Sequence, residues 1–501
     1  MKATTTRNPS LYEVKQLTRD WGLVGEEDTV LTIFLAFLGG GFILMTGLSS
    51  GGKNGVVNSA AFCTPGGGNA SDPDDVVNTS EWTFSVPTSL SKTALFQQHE
   101  IVNSHPVHVH QDIASLQGEQ HLEKLWKRHG EGQSMTHSWT QVMGQEREER
   151  SQTLHPPNCM ILFLAEDNQQ VDINDYPEVR NRALLLPIDD SSELTAKVNE
   201  RQAEMEAGLV RPKVNEKRAA EIREYVGSIP MHMYGGSSRG GFLNPIAPAI
   251  DNQNPLPQMF TEARRDFPRL MDFMKSVTLF HFQDRLELAK KDFAPPGSSN
   301  MLTMFVTPAD GWYAMRIFGE KMVLSALNLR EKDFELLSIL RDDMGSAYTA
   351  DELMMAMRDR DYNVTDSDIR SSMDNMLYKG YVRKSQDSAR VEYSASPFAA
   401  KAKRNVQLDW SEVVEDTRET VYEVLPTEYA NVYEDDYLQG DGLLVTHPFT
   451  GETVNLLEET ANELEQRVEE AEAREEETVF DESDDSDEPD GSGGNTQGTL
   501  V

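Results

Sequence analysis

The sequence predicts an α/β fold: a mostly parallel sheet flanked by helices, then an all-α segment and a small domain of helices and a hairpin. Three observations predict it. Short apolar runs of the buried-strand kind, FILMT at 42–46, CMILFLA at 159–165 and RALLLPI at 182–188, alternate with helix-like segments, as in a sheet covered on both faces. A glycine-rich loop and a helix-like stretch follow the first run directly. Residues 331–395 carry apolar positions at helical spacing three times, then at strand spacing twice.

The elements follow in order. Residues 9–25 read as an amphipathic helix and turn, and 26–38 as an apolar helix opened by Glu26, Glu27 and Asp28, acids that suit a helix N-terminus. The strand at 42–46 comes next, then a helix from Lys53 to Phe62 and a Gly/Asp/Asn/Pro-rich loop at 64–80. Helices are expected over 88–100, 119–129, 190–208 and 213–227, and a strand over 106–113. Residues 134–154 read as a hairpin whose tip is the charged run Gln145 to Arg150. A Gly/Pro/Asn-rich stretch at 229–258 reads as a linker. The expected units are therefore 1–228, the linker 229–258, a helical unit 259–330, the helix-and-hairpin unit 331–398, a Tyr-rich connector with a β-hairpin at 399–456, and an acidic helix with a disordered tail at 457–501.

Charge is unevenly spread. The whole chain carries −37, and residues from Asn405 onward hold 29 acids against 3 bases. The body is thus mildly acidic and leaves room for basic patches. Its 18 lysines against 28 arginines suit either a salt-adapted interior or an ordinary protein with an acidic tail. Two cysteines without a CxxC pair exclude a disulfide framework and a zinc ribbon, and point to a reducing, cytoplasmic setting. Residues 30–48 lack charge over nineteen positions, yet Gly39, Gly40 and Gly41 interrupt them, so a buried helix, a turn and a buried strand are expected instead of a membrane span.

The chemistry concentrates in Gly47-Leu-Ser-Ser-Gly-Gly-Lys53-Asn54. Gly47, Ser49, Ser50, Gly51 and Gly52 would let backbone amides turn around a phosphate, Lys53 would offset its charge, and the next helix would aim its N-terminus at the anion. This is the glycine-lysine part of a P-loop, and the competing reading is a Gly-rich turn with a surface lysine. ATP and Mg²⁺ are the expected cofactors. Asn54 stands where a hydroxyl normally ligates Mg²⁺, and its amide oxygen is a weaker ligand. Asp112, at the end of PVHVHQDIASL, is the candidate acid that orients water and helps hold Mg²⁺. On that strand His108 and His110 alternate with Val107 and Val109, as either a polar-packed face or a two-histidine chelate. The expected fold is then an α/β P-loop NTPase with an AAA+/RecA-like parallel sheet, an all-α segment, a winged helix and a disordered acidic C-terminus.

In its order of segments the chain resembles the ATPase/helicase module of phage- and plasmid-type replicative primase-helicases, a P-loop group related to AAA+ and superfamily-3 helicases. The matching pieces are GEEDTVLTIFLAFLGG, TGLSSGGKN, TSLSKTALF, PVHVHQDIASL, HPPNCMILFLAEDN, EVRNRALLLPIDDSSELT and FTEARRDFPRLMDFMKSVTLFHFQDRL, within residues 20–395. The resemblance implies an oligomeric ATPase, a ring of identical subunits, that moves along or melts single-stranded or forked DNA without a membrane partner. It also implies a trans-acting arginine at Arg182, or Arg180, and a polar sensor at Asn168. Asn54 for Ser/Thr and Gln111-Asp112 for an aromatic-Glu pair depart from the family pattern, and imply slow turnover or binding without turnover. The residues before position 20 are too few for a primase half, so primer synthesis is not expected.

Read from the residues alone, Arg182 is equally a strand-start arginine paired with Glu178 or Asp190, and Glu166 and Asp167 compete with Asn168. Arg147 and Arg150 at the hairpin tip would touch phosphates in a channel, or sit on a solvated turn. In the 331–395 unit the third helix would read DNA, with Arg370, Lys379, Arg383, Lys384 and Arg390 as the cations, against a protein-docking role.

Overall fold

The computed structural model describes residues 8–466 apart from 48–51, 71, 87–92, 112, 114–119, 144–145, 166–176, 190, 211–212, 232–240, 258–262, 290–302, 328, 361, 363, 388–389, 403–406 and 464. Helix α1, Leu11–Trp21, opens on a capping box in which Ser10 and Glu13 satisfy each other's backbone amides. Helix α2, Glu27–Gly39, is buried along nearly its whole length, and the chain turns through Gly40 into strand β1, Gly41–Gly47. The charge-free run is thus a core helix plus a core strand, as its glycines predict. A Cβ on Gly39 would lie 1.6 Å from Ser276 Oγ, so the helix carrying Ser276 can cross α2 only over a glycine.

Helix α3, Lys53–Phe62, follows, then the single turn α4, Val76–Thr79, and β2, Thr83–Val86. In the region expected to be one helix at 88–100, the described residues from Thr93 onward hold two short ones, α5, Ala94–Gln97, and α6, His99–Ser104. Strand β3, Val107–His110, and helix α7, Gln120–Gly130, lead into a hairpin of β4, Met135–Met143, and β5, Glu146–Leu154. Strand β6, Cys159–Ala165, the turn α8, Pro177–Arg180, and β7, Leu184–Pro187, complete the sheet, which α9, Ser192–Glu206, and α10, Glu216–Gly227, follow.

The sheet is parallel, with order β2-β3-β6-β1-β7. Both faces are buried, and alternation sorts the side chains. Ile43, Met45, Val107, Val109, Ile161 and Phe163 join one core cluster; Phe42, Leu44, Met160, Leu162 and Leu164 join the other. Five parallel strands with flanking helices fit an α/β P-loop NTPase. In such sheets ligands bind beyond the carboxyl ends of the strands. Here that edge carries Gly47, His110, Ala165 and Pro187.

A pair β8, Phe242–Leu243, and β9, Met304–Phe305, flanks helices α11, Ala247–Asn252, α12, Ala263–Phe280, and α13, Phe282–Ala289, and leads to α14, Pro308–Leu327. The next unit runs α15, Glu331–Asp342; β10, Tyr348–Thr349; α16, Ala350–Asp359; α17, Asp366–Tyr378; β11, Val382–Asp387; and β12, Arg390–Ala395. Its antiparallel sheet has order β10-β12-β11. Of the apolar positions at helical spacing, Leu337, Leu340, Leu353, Met357, Ile369, Met373 and Met376 are buried as core, whereas Met354 is half-buried and Leu377 is exposed.

The Tyr-rich stretch holds two helices the sequence reading lacks, α18, Trp410–Val424, and α19, Thr427–Tyr437, before the hairpin of β13, Leu444–Thr446, and β14, Thr453–Asn455. That hairpin returns to the first helix: Lys15 Nζ donates to the Phe449 carbonyl at 3.3 Å. Residues 467–501, including the expected tail, lie outside the described residues. Among those described, no helix is long and apolar enough to cross a membrane.

Candidate functional site

The glycine-lysine loop leaves β1 at the sheet's carboxyl edge. Leu48, Ser49, Ser50 and Gly51 lie outside the described residues, and Gly47, Gly52, Lys53 and Asn54 bracket them. Gly52 is the N-cap of α3 at φ +82°, a left-handed conformation that favours glycine. Lys53 is the first residue of that helix and is only 7% exposed. Its Nζ donates to the Gly47 carbonyl at 2.9 Å, so the ammonium reaches back to the last residue of β1. A surface lysine on a Gly-rich turn would not be buried in this way. Asn54 follows on the first turn, exposed. Asn58 and Ser59, further along the helix, are buried, and the Asn58 amide receives Val77 N at 2.9 Å. A left-handed glycine cap, a helix N-terminus and a buried ammonium fit a phosphate group.

The candidate acid Asp112 and the candidate polar sensor Asn168 lie outside the described residues. Their strands are described. β3, which leads to Asp112, is separated from β1 by β6, which leads to Asn168. The strand next to β1 thus leads to the candidate sensor position, and the one beyond it leads to the candidate acid.

The histidines of β3 take packing partners. His108 Nε2 lies 3.0 Å from the Val102 carbonyl, and His110 Nδ1 accepts from Trp126 Nε1 at 3.2 Å. Among the described residues no cluster of three His, Cys, Asp or Glu could hold a metal. Burial lowers the His108 imidazole to about 4 and that of His129, on the neighbouring helix, to about 3. In the unfolded chain both protonate near 6.5. The unfolded state therefore binds more protons below that pH, and stability should fall as pH drops from 6.5 toward 4, by up to about 1.4 kcal/mol per pH unit for each imidazole. Urea unfolding at pH 7 and pH 5 measures the slope, which should shrink in His129→Gln.

Arg182 is 15% exposed on its side chain and is held within its own chain. Nε and Nη2 donate to Glu131 Oε1 at 3.0 and 2.6 Å, and Nη1 donates to the Glu178 carbonyl at 2.8 Å. Lys127 pairs with the Glu178 carboxylate as well. Of the two partners the sequence suggested, Glu178 is used and Asp190 lies outside the described residues; Glu131 is a further partner that the sequence did not announce. Between Arg180 and Arg182, the Asn181 carbonyl accepts from Arg265 Nη1 at 3.0 Å and from Arg269 Nη2 at 3.2 Å.

The hairpin differs from expectation in register. Strand β4 ends at Met143, which pairs with Glu146 at the start of β5, so Glu146 to Arg150 of the charged run lie in the strand. Arg147 is opposite Val142, its side chain outside the described ones; Arg150 is opposite Trp139 and exposed.

Glu26 is a further buried group at this edge. It sits at the N-cap position of α2 without capping it; instead Oε1 accepts Asp189 N at 2.7 Å, and burial raises its carboxyl. In the sequence it is one of three acids before a helix, and nothing singles it out. A cavity of about 300 Å³ lies elsewhere, bounded by Asp28, Trp312, Arg316, Lys321, Trp410 and Phe449, and includes none of the described residues of the glycine-lysine loop.

In the helix-and-hairpin unit the five cations divide. Arg370 Nε donates to Asp366 at 2.7 Å. Lys379 is half-buried, and burial with Arg180 nearby brings its ammonium down to about 7. Arg383, Lys384 and Arg390 lie exposed on β11 and β12, with Lys384 Nζ 5.9 Å from the centre of the Tyr393 ring.

Fold and site together define an α/β protein with a glycine-lysine loop at the carboxyl edge of a parallel sheet. No protein-family model matches the chain, and no curated protein matches it. Solved structures that resemble it include a protein from Cytophaga hutchinsonii described as a candidate ATPase, at 12% identity over 70% of this chain and 94% of that one, with a TM-score of 0.32. So loose a likeness does not say what this chain does.

Proposed function

We propose that this chain is an ATP-driven DNA helicase or translocase of the replication type, from a mobile element or virus, that hydrolyses ATP between the subunits of a ring. The observation that carries it is Lys53, buried at the first position of α3 and directed onto the last carbonyl of β1. Gly47, Ser49, Ser50, Gly51 and Gly52 would supply amides to the phosphates of ATP, with Asn54 and Asp112 on Mg²⁺. Bound Mg²⁺ neutralises charge developing on the transferred phosphoryl group. Asp112 and Asn168 would hold the attacking water, and Arg182 would reach the neighbouring subunit's nucleotide. The test is ATP turnover with and without single-stranded DNA. Stimulation by DNA is expected, and turnover at background in both would refute the motor.

The second reading is an ATP-switched, non-catalytic DNA-binding regulator or loader. Asn54 and Asp112 favour it, as does the hold of Glu131 and Glu178 on Arg182. Here ATP should drive assembly while hydrolysis stays at background.

The unit from α15 to β12 is proposed as a winged helix, on its order of helix, strand, two helices and two strands. Its DNA contact is proposed for the hairpin: phosphate binding needs exposed cations, which Arg383, Lys384 and Arg390 are. Arg383→Ala with Lys384→Ala should weaken binding uniformly across sequences and reduce the salt slope by roughly 1 per residue. Arg370→Ala should change little, because Asp366 already holds that guanidinium. Salt titrations of the variants decide between the hairpin and the helix.

A further inference from the structure

We infer that Arg265 and Arg269, on helix α12, are positioning residues for the arginine that acts on the neighbouring subunit, an inference that rests on the proposed inter-subunit ATPase. Two guanidinium groups converge on one backbone oxygen, that of Asn181, at 3.0 and 3.2 Å. Asn181 is flanked by Arg180 and Arg182 in the turn between α8 and β7. That turn is short and its own sheet holds it only from Leu184 onward. The clamp therefore adds a tie to helix α12 to the turn's own bonds from Arg182 N and Ala183 N to the Val179 carbonyl, independently of what the Arg182 side chain is paired with.

Arg269 is built for this. Its Nη1 donates to Asp266 at 2.6 Å while Nη2 reaches Asn181, so the two prongs of one planar group serve two partners at once. Asp266 is 2% exposed, and a buried carboxylate demands a fixed cation. The pair thus anchors the Arg269 fork before it reaches Asn181. Helix α12 in turn packs on α2 and α14, so the turn bearing Arg182 is tied to the helical layer as well as to the sheet.

A backbone displacement of about 1 Å at a reacting group can cost roughly 10²-fold. Arg265→Ala removes one donor from an exposed side chain. Arg269→Lys keeps a cation beside Asp266 but cannot serve both partners. Each should lower ATP turnover between 10- and roughly 100-fold, with KM for ATP and the thermal midpoint near wild type. Mixing carries the decisive readout. Subunits bearing Arg265→Ala have sound nucleotide loops; subunits bearing Lys53→Ala have sound arginine turns. Mixed oligomers of these two weak variants should turn over faster than either alone, since each sound loop can meet a sound arginine. A purely structural defect in α12 would not be rescued in that way. Unchanged turnover in Arg265→Ala and Arg269→Lys, alongside a crippled Arg182→Ala, would overturn the clamp alone. Loss without rescue on mixing would overturn it too. A wild-type chain without turnover, or an Arg182→Ala chain that hydrolyses normally, would overturn the inter-subunit ATPase and the clamp with it.

Discussion

Replacing Lys53 with alanine is expected to lower ATP turnover by roughly 10²–10³-fold, the loss that follows removal of one donor aimed at developing charge. The ammonium bonds the last carbonyl of β1, and it lies in a buried setting where its field is weakly screened. The fold should tolerate the change. The bond to Gly47 contributes on the order of 1 kcal/mol, and alanine is the better helix former at the start of α3. Lys53→Arg should also be impaired, because a larger planar head must enter a site that leaves the lysine almost no exposure. Turnover, nucleotide binding and thermal midpoint measured on the same samples separate chemistry from folding. Wild-type turnover in a folded Lys53→Ala chain would mean that the loop does not hold the phosphates.

How much of this was legible in the sequence depends on the range of the interaction. Strands β1 and β6 are apolar runs of strand length, and α3 begins at Lys53 as the loop pattern requires, since local signals fix them. The alternation of His108 and His110 with valines also carried through, because a strand's period is two. What escaped was pairing at a distance. Nothing near Asn181 in the chain announces Arg265 and Arg269, more than eighty residues on. Glu131 captures Arg182 from fifty-one residues away. Helices α18 and α19 were hidden by composition: many acids surround the buried Trp410, Val413, Val414 and Val421 of α18, and α19 buries tyrosines, so the stretch read as a polar connector. The structure uses those rings as apolar bodies with a polar tip, Tyr433 donating to the Val306 carbonyl at 2.6 Å and Tyr437 to that of Asp284 at 3.0 Å. The hairpin register escaped too, since a charged run marks exposure and does not fix where a turn falls.

Asp310 is where the largest loss of stability is expected: Asp310→Ala should cost about 3–5 kcal/mol. The carboxylate is fully buried, yet every side of it is answered. Arg285 Nη2 donates to Oδ1 at 2.7 Å, and Thr278 Oγ1 and Thr307 N donate to Oδ2 at 2.9 and 3.0 Å. Arg285 in turn lies over the Tyr437 ring at 5.1 Å. One group thus joins α12, α13, α14 and α19. Removing it leaves a buried guanidinium without its counter-charge, which is why the single change should cost more than the net worth of the pair. Arg285→Met with Asp310→Leu should accordingly cost less than the two single changes added together. The Arg285 guanidinium also holds the Asp310 carboxyl below its ordinary 3.8. A depressed folded pKa stabilises above the unfolded value and is lost as pH falls through the folded one, so this contribution should persist at pH 5, where the histidine penalty has already begun. Urea unfolding at pH 7 measures the size, and a cost below about 1 kcal/mol would show that the network is not what joins the layer. Thr278 and Asp266 stand twelve residues apart on α12, about 18 Å along its axis. The same helix is thus pinned at one end by Asp310 and holds Asn181 near the other. Loosening the first pin should disturb the arginine turn at a distance, so turnover should fall in Asp310→Asn even under conditions where the chain stays folded.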